Sequence, residues 1–160
     1  MMDTEVEVAN YEKTIDVRAT PDQVYRALTT EMNRWWTTQT EGSLISVGDK
    51  LKVDFPPNNG HWTFEATALS PGEIVELKCI DAHHVVAGQP AEIEKEWLGT
   101  RLRWQIAGYG GRSKVEFEHQ GLTPKLHCYD ICNEGWGYFF ANSFAAYLNT
   151  GTGAPHSTVA

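Results

Sequence analysis

Along the first three quarters of this chain, apolar side chains return at every second position. Leu51, Val53 and Phe55 alternate with Lys50, Lys52 and Asp54, and Trp62, Phe64, Ala66 and Ala68 alternate with Thr63, Glu65 and Thr67. Val75, Leu77 and Cys79 oppose Glu76 and Lys78, while Leu102, Trp104 and Ile106 oppose Arg101, Arg103 and Gln105. Val115, Phe117 and His119 oppose Lys114, Glu116 and Glu118. Nearer the start, Val6 and Val8 alternate with Glu5 and Glu7, and Ile15 and Val17 continue an extended segment. A period of two with one apolar face predicts antiparallel strands covered on one side only. The connectors Gly48-Asp49, Pro56 to Gly60, Pro71-Gly72 and Gly108 to Gly111 carry turn chemistry, so the strands are expected to run as a meander.

Two stretches break this rhythm. Thr20-Pro21-Asp22-Gln23 reads as a helix start, with Thr20 as N-cap, Pro21 at the first helical position and Gln23 closing a box. Val24, Tyr25, Leu28 and Met32 supply its apolar stripe, and Trp35-Trp36 follows a break near Asn33. The second stretch is the strongest helix of the chain. Trp136, Phe140, Ser143, Phe144, Tyr147 and Leu148 recur at helical spacing, and Asn149-Thr150-Gly151 provides the stop. Its start is blurred by Gly135 and Gly137. The segment from residue 153 to 160 reads as a flexible tail. The elements together predict one α+β domain over residues 1–160, a curved antiparallel sheet with one long helix to cover its apolar face.

Composition narrows the function classes. With 13 Lys plus Arg against 21 Asp plus Glu, the formal charge of −8 provides no footprint for nucleic-acid phosphates. No apolar run has the length of a membrane span, and the charged N-terminus is unlike a signal peptide, so a cytoplasmic protein is expected. Cys79, Cys128 and Cys132 are an odd set best read as reduced, buried thiols. Cys128 and Cys132 would share a helix face, but a metal needs more ligands than two thiols, so neither a metal nor a cofactor is expected.

At this point several segments resemble a known family. They are Thr20 to Tyr25 followed by Arg34-Trp35-Trp36, Glu96-Trp97-Leu98-Gly99-Thr100, and His119 to Pro124. The run Cys128 to Cys132 through Gly135-Trp136, with Ser143, Tyr147-Leu148 and Gly151-Thr152-Gly153, is the most specific. They resemble the START and birch-pollen-allergen superfamily, in the branch named after activators of the heat-shock-protein-90 ATPase, over roughly Glu12 to Pro155. The resemblance lies with its small bacterial single-domain members. It implies a helix-grip fold, in which about seven antiparallel strands grip a C-terminal helix and leave a cavity between them. Two short helices would follow the first strand. It also implies binding of lipid- or polyketide-like molecules, with co-chaperone or stress-response activity and cyclase- or hydrolase-like catalysis as the alternatives.

The inward parities then nominate the site. Phe55, Trp62, Phe64, Trp104, Phe117, Trp136 and Phe140 are expected to border the cavity, with Trp35 and Trp36 at its mouth and Cys132 beside Trp136. His119, inward near a strand end, is the one candidate for acid–base work; a structural histidine bonded to its surroundings is the competing reading. Carboxylates such as Asp54, Glu65, Glu76, Glu116 and Glu118 fall on the outward parity, so no paired-carboxylate site is expected. The partners this sequence points to are a hydrophobic small molecule and, through the family, a chaperone. A homodimer is compatible with it, although no interface is specified.

Overall fold

The computed structural model describes residues 9–157. Seven strands form one antiparallel sheet: β1 (Tyr11–Val17), β2 (Gln39–Glu41), β3 (Lys50–Asp54), β4 (Gly60–Ser70), β5 (Ile74–His84), β6 (Arg101–Tyr109) and β7 (Arg112–Gln120). Their order across the sheet is β1-β7-β6-β5-β4-β3-β2, so every neighbour but the β1–β7 pair is a sequential hairpin or meander step. The alternation expected at Val6 and Val8 lies outside the described residues. β2 carries no apolar alternation; it is a strand because Gln39, Thr40 and Glu41 pair with Asp54, Val53 and Lys52.

Helix α1 (Pro21–Thr29) begins with the box read from the sequence: Gln23 N donates to Thr20 Oγ1 at 3.2 Å, and Thr20 N donates to Gln23 Oε1 at 2.9 Å. A single 3-10 turn (Met32–Arg34) follows and delivers Trp35 and Trp36 into the core. The C-terminal helix starts earlier than its apolar stripe suggests. It runs as α2 (Tyr129–Trp136), continues through a π-helical segment (Gly137–Phe144) and ends as α3 (Ala145–Thr150). Its early start is supported from a distant segment. The Glu96 carboxylate accepts from the amides of His127 (2.8 Å) and Cys128 (3.0 Å), which precede the helix and would otherwise lack partners.

The helix lays Trp136, Phe140 and Phe144 on the inner face of the sheet. Phe117 meets Trp136 with ring centroids 4.6 Å apart, Trp104 stacks on Phe117 at 4.8 Å, and Trp35 meets Phe144 edge-on at 4.8 Å. Such contacts add to the area these rings remove from water. The tail is not free up to His156, contrary to the expectation for residues 153–160. Ala154 N donates to Ser143 Oγ (2.7 Å), His156 N to Trp36 O (2.9 Å) and Thr38 N to His156 O (3.0 Å). Backbone groups of the turn after α1 thus find their partners in the tail.

β4 and β5 do not pair in simple register. Thr63 faces Asp81 but Phe64 faces Cys79, so Ile80 is an extra residue on β5, and a second shift leaves Thr67 unmatched on β4. A bulge turns over every side chain beyond it. Val75, Leu77 and Cys79 are buried, as their parity requires. After Ile80 the inner face passes to Ala82 and His84, while Asp81 is exposed.

Candidate functional site

Where β4 begins and β5 ends, the sheet, the segment after β5 and α2 enclose a cavity of about 590 Å³. Trp36, Phe55, Trp62, Trp97, Trp136 and Phe139 form its aromatic walls; His84, Val85, Val86 and Ala87 bound it from the end of β5 onward. Asn58 and Asn59 stand at the β3–β4 turn, and Ile131, Cys132 and Gly135 line it from α2. No lysine or arginine belongs to this lining.

The residues nominated from the sequence divide between cavity and core. Trp36, Phe55, Trp62, Cys132 and Trp136 line the cavity. Trp35, Phe64, Trp104, Phe117, His119 and Phe140 are packed solidly between sheet and helix and do not reach it. Trp35 seals its own place by donating Nε1–H to Ala27 O at 2.8 Å. Trp97, which is not among the residues nominated from the sequence, is a principal wall. Its ring lies parallel to that of Trp136 at 5.9 Å and edge-on to His119 at 4.5 Å. The signal that could have found it was its place in the Glu96-to-Thr100 segment, but no parity runs through that loop to say which way it points.

His119 is fully buried and fully occupied. Trp136 Nε1–H donates to its Nδ1 at 3.0 Å, and its Nε2 stands 2.9 Å from Thr100 Oγ1. The Thr100 hydroxyl donates its own proton to Trp97 O at 2.6 Å, so it can only accept from His119. This chain assigns a neutral imidazole with the proton on Nε2. Burial pushes its pKa down to about 3. The acid–base role considered for His119 therefore has no free nitrogen and no contact with the cavity; of the two sequence readings, the geometry is that of the structural histidine.

Polar capacity is left over elsewhere. Among the described residues, buried side-chain nitrogens without a hydrogen-bond partner are His61 Nδ1, Trp62 Nε1, His84 Nδ1 and Trp104 Nε1, and Trp62 and His84 belong to the cavity lining. Leaving such a group unpaired costs about 1–3 kcal/mol. Burial holds the His84 imidazole below its ordinary pKa, with Glu96 opposing. Cys132 donates toward or accepts from its surroundings at two points: Trp97 Nε1–H reaches its Sγ at 3.3 Å, and its thiol pKa is raised by hydrogen bonding with Cys128 and by burial. Burial likewise pushes the Cys79 thiol up to about 12. Reactive thiolates are not expected from such surroundings. One side-chain atom each from His84, Cys128 and Cys132 lies within 4.8 Å of the others. The sequence spacing revealed only the two cysteines; their third neighbour comes from β5, through the bulge at Ile80.

Comparison with known proteins places these features in context. A family model described as Activator of Hsp90 ATPase homolog 1-like protein matches residues 18–149. A search of curated proteins found no match. Among solved structures, the Aha1 dimer from Colwellia psychrerythraea is similar with a TM-score of 0.70 and 27% identity, over 90% of this chain and 98% of that one. DynU16, from the dynemicin biosynthetic locus, has a TM-score of 0.64 and 17% identity over 89% of this chain and 48% of its own. An HSP90 activator from Plasmodium falciparum has a TM-score of 0.58 and 14% identity, covering 83% of this chain and 91% of its own. At such identities the last two share the fold.

Proposed function

The chain belongs to the activator of Hsp90 ATPase homolog 1-like family, and within it we propose that this member binds a neutral, amphipathic small molecule between the sheet and α2. The observation that carries this reading is the cavity itself. Its volume of about 590 Å³ falls within the roughly 300–1,000 Å³ of small-molecule sites, and its walls are mostly rings. The unpartnered Trp62 N–H fits a ligand that presents an acceptor, such as a carbonyl or ether oxygen. The absence of a cation from the lining argues against a free carboxylate, which would be buried without a counter-charge. A lipid-like or polyketide-like molecule with a neutral polar end meets these conditions. The test is titration with N-phenyl-1-naphthylamine, a neutral apolar fluorophore. Saturable one-to-one binding with energy transfer from tryptophan is expected; a protein that stays folded and binds none of it overturns the reading.

A second reading, action on a chaperone ATPase, is favoured by the family match and by the 27% identical relative called Aha1. Stimulation of a purified heat-shock-protein-90 ATPase by this chain would support it. A flat response up to a large molar excess removes it. The two readings are tested by separate experiments and stand or fall separately.

A further inference from the structure

The convergence of His84, Cys128 and Cys132 goes beyond a packing arrangement. Cys128 and Cys132 are four residues apart at the start of α2, where that spacing stacks two side chains on one face. Both are buried, and Cys132 lines the cavity. His84 reaches the same place only because the extra residue at Ile80 turns the end of β5 over; it pairs with Gly60, whose missing side chain leaves room for the His83–His84 backbone to pass. The three potential donor atoms are within 4.8 Å of one another, and His84 Nδ1 is buried with no hydrogen-bond partner.

We propose that His84, Cys128 and Cys132 form a site for a thiophilic divalent cation of the zinc class, with a fourth coordination position open to the cavity. Zinc takes thiolate and imidazole ligands tetrahedrally at about 2.3 Å and about 2.0–2.1 Å, which sets its donors roughly 3.5–3.8 Å apart. From their 4.8 Å limit the donors need to close by at most about 1.0–1.3 Å, a change within the reach of side-chain torsions.

Charge selects the ion. Two thiolates and a neutral imidazole balance a divalent cation, so the filled site is neutral. A monovalent soft ion such as copper(I) would leave one net negative charge in apolar surroundings, beside the Glu96 carboxylate that holds the start of α2. Binding releases two protons, one from each thiol, to the solvent. Outer contacts are already in place. Trp97 Nε1–H donates to Cys132 Sγ at 3.3 Å, an orienting bond that also favours thiolate, and Glu96 fixes the backbone of Cys128. Three protein donors with a fourth position facing a cavity is the arrangement of an open site rather than a closed structural one. Water, or an acceptor atom of a cavity occupant, would take that position. The three donors alone define the site, so it does not rest on an organic ligand being bound.

The test uses the full chain, reduced and freed of metal, titrated with cobalt(II) and then with zinc in competition with a chromophoric chelator. One cobalt per chain is expected, with the thiolate charge-transfer absorption and strong ligand-field bands of a tetrahedral sulfur-containing site, and zinc should bleach them. Cys128→Ser and Cys132→Ser should each lose the charge-transfer band or halve it, and His84→Asn should weaken binding. Trp97→Phe should weaken zinc by about tenfold while preserving the stoichiometry. In case the variants fold poorly, zinc should protect Cys128 and Cys132 of the unaltered protein from alkylation, mapped by mass spectrometry, with no change at Cys79. Cobalt spectra without sulfur character overturn the proposal, as does binding that survives Cys132→Ser. Formation of a Cys128–Cys132 disulfide under air with no metal uptake beforehand would also overturn it. Fluorophore binding to the unaltered, metal-free protein separates the outcomes: fluorophore bound without cobalt uptake identifies failure of the metal site alone, and cobalt uptake without fluorophore binding identifies failure of the cavity reading alone.

Discussion

Trp136 donates its indole N–H to Nδ1 of His119, 3.0 Å away, and so binds the C-terminal helix to β7 through a histidine that has no contact with water. The bond holds a wall of the cavity in place, because the ring of Trp136 lies parallel to that of Trp97.

The protonation of His119 makes stability acid-sensitive. Its folded pKa is pushed down to about 3 by burial, against 6.5 for the free side chain. Below pH 6.5 the unfolded chain takes up a proton that the folded chain refuses, so the contribution is fully present above 6.5 and is lost as pH falls toward 3. The expected slope is about 1.4 kcal/mol per pH unit in that window. Urea unfolding at pH 7 and pH 5 checks it, using His119→Gln as the reference that lacks the titration. The difference between the two proteins should shrink at the lower pH; a difference that does not change with pH would falsify the assignment.

Among the described residues, the acceptor for His119 Nε2–H is Thr100 Oγ1. Thr100→Val keeps the shape of the side chain and leaves that N–H buried without a partner, so a loss of about 1–3 kcal/mol is expected in chemical denaturation. Thr100→Ser retains the hydroxyl and should lose distinctly less. Equal losses for Val and Ser would mean that the methyl group, not the hydrogen bond, matters.

Gly135 lines the cavity from α2, and nothing stands within 4 Å of the place its Cβ would take. Gly135→Leu should therefore project into the cavity and abolish or strongly weaken fluorophore binding. It should also stabilise the helix by about 0.5–1 kcal/mol, the usual gain from removing a mid-helix glycine. Binding and thermal stability then move in opposite directions, which a general unfolding defect cannot produce.

Trp62 Nε1–H is the unpartnered donor of the cavity wall. Trp62→Phe removes it while keeping an aromatic face. Affinity for a ligand bearing a carbonyl should fall about 2- to 10-fold, the equivalent of one ordinary hydrogen bond, with affinity for a pure hydrocarbon of similar size unchanged. Isothermal titration with a matched ketone and hydrocarbon pair makes the comparison.

Where local rules act alone, the chain can be read directly. The capping box at Thr20 and Gln23, the parity of β3, β6 and β7, and the stripe Trp136-Phe140-Phe144 all appear in the structure as their spacing requires. Where an element depends on a partner, spacing is silent. β2 exists by pairing with β3, and the tail is held by Trp36, Thr38 and Ser143.

The candidate site illustrates the same division. Inward parity correctly separates buried from exposed side chains, yet it does not distinguish a ring that fills the core from one that borders space. Trp104 and Trp62 both point inward, and only Trp62 reaches the cavity. Trp97 lies on a loop with no period at all.

The α+β architecture is legible in the chain alone, because the side-chain periods of strand and helix are properties of the backbone and need no distant partner. Which rings enclose space, which groups occupy both nitrogens of His119, and the bulge at Ile80 follow from packing and register between distant segments. That single extra residue reverses the faces of β5 and brings His84 to Cys128 and Cys132, a neighbourhood made by pairing register across the sheet and therefore absent from any local pattern.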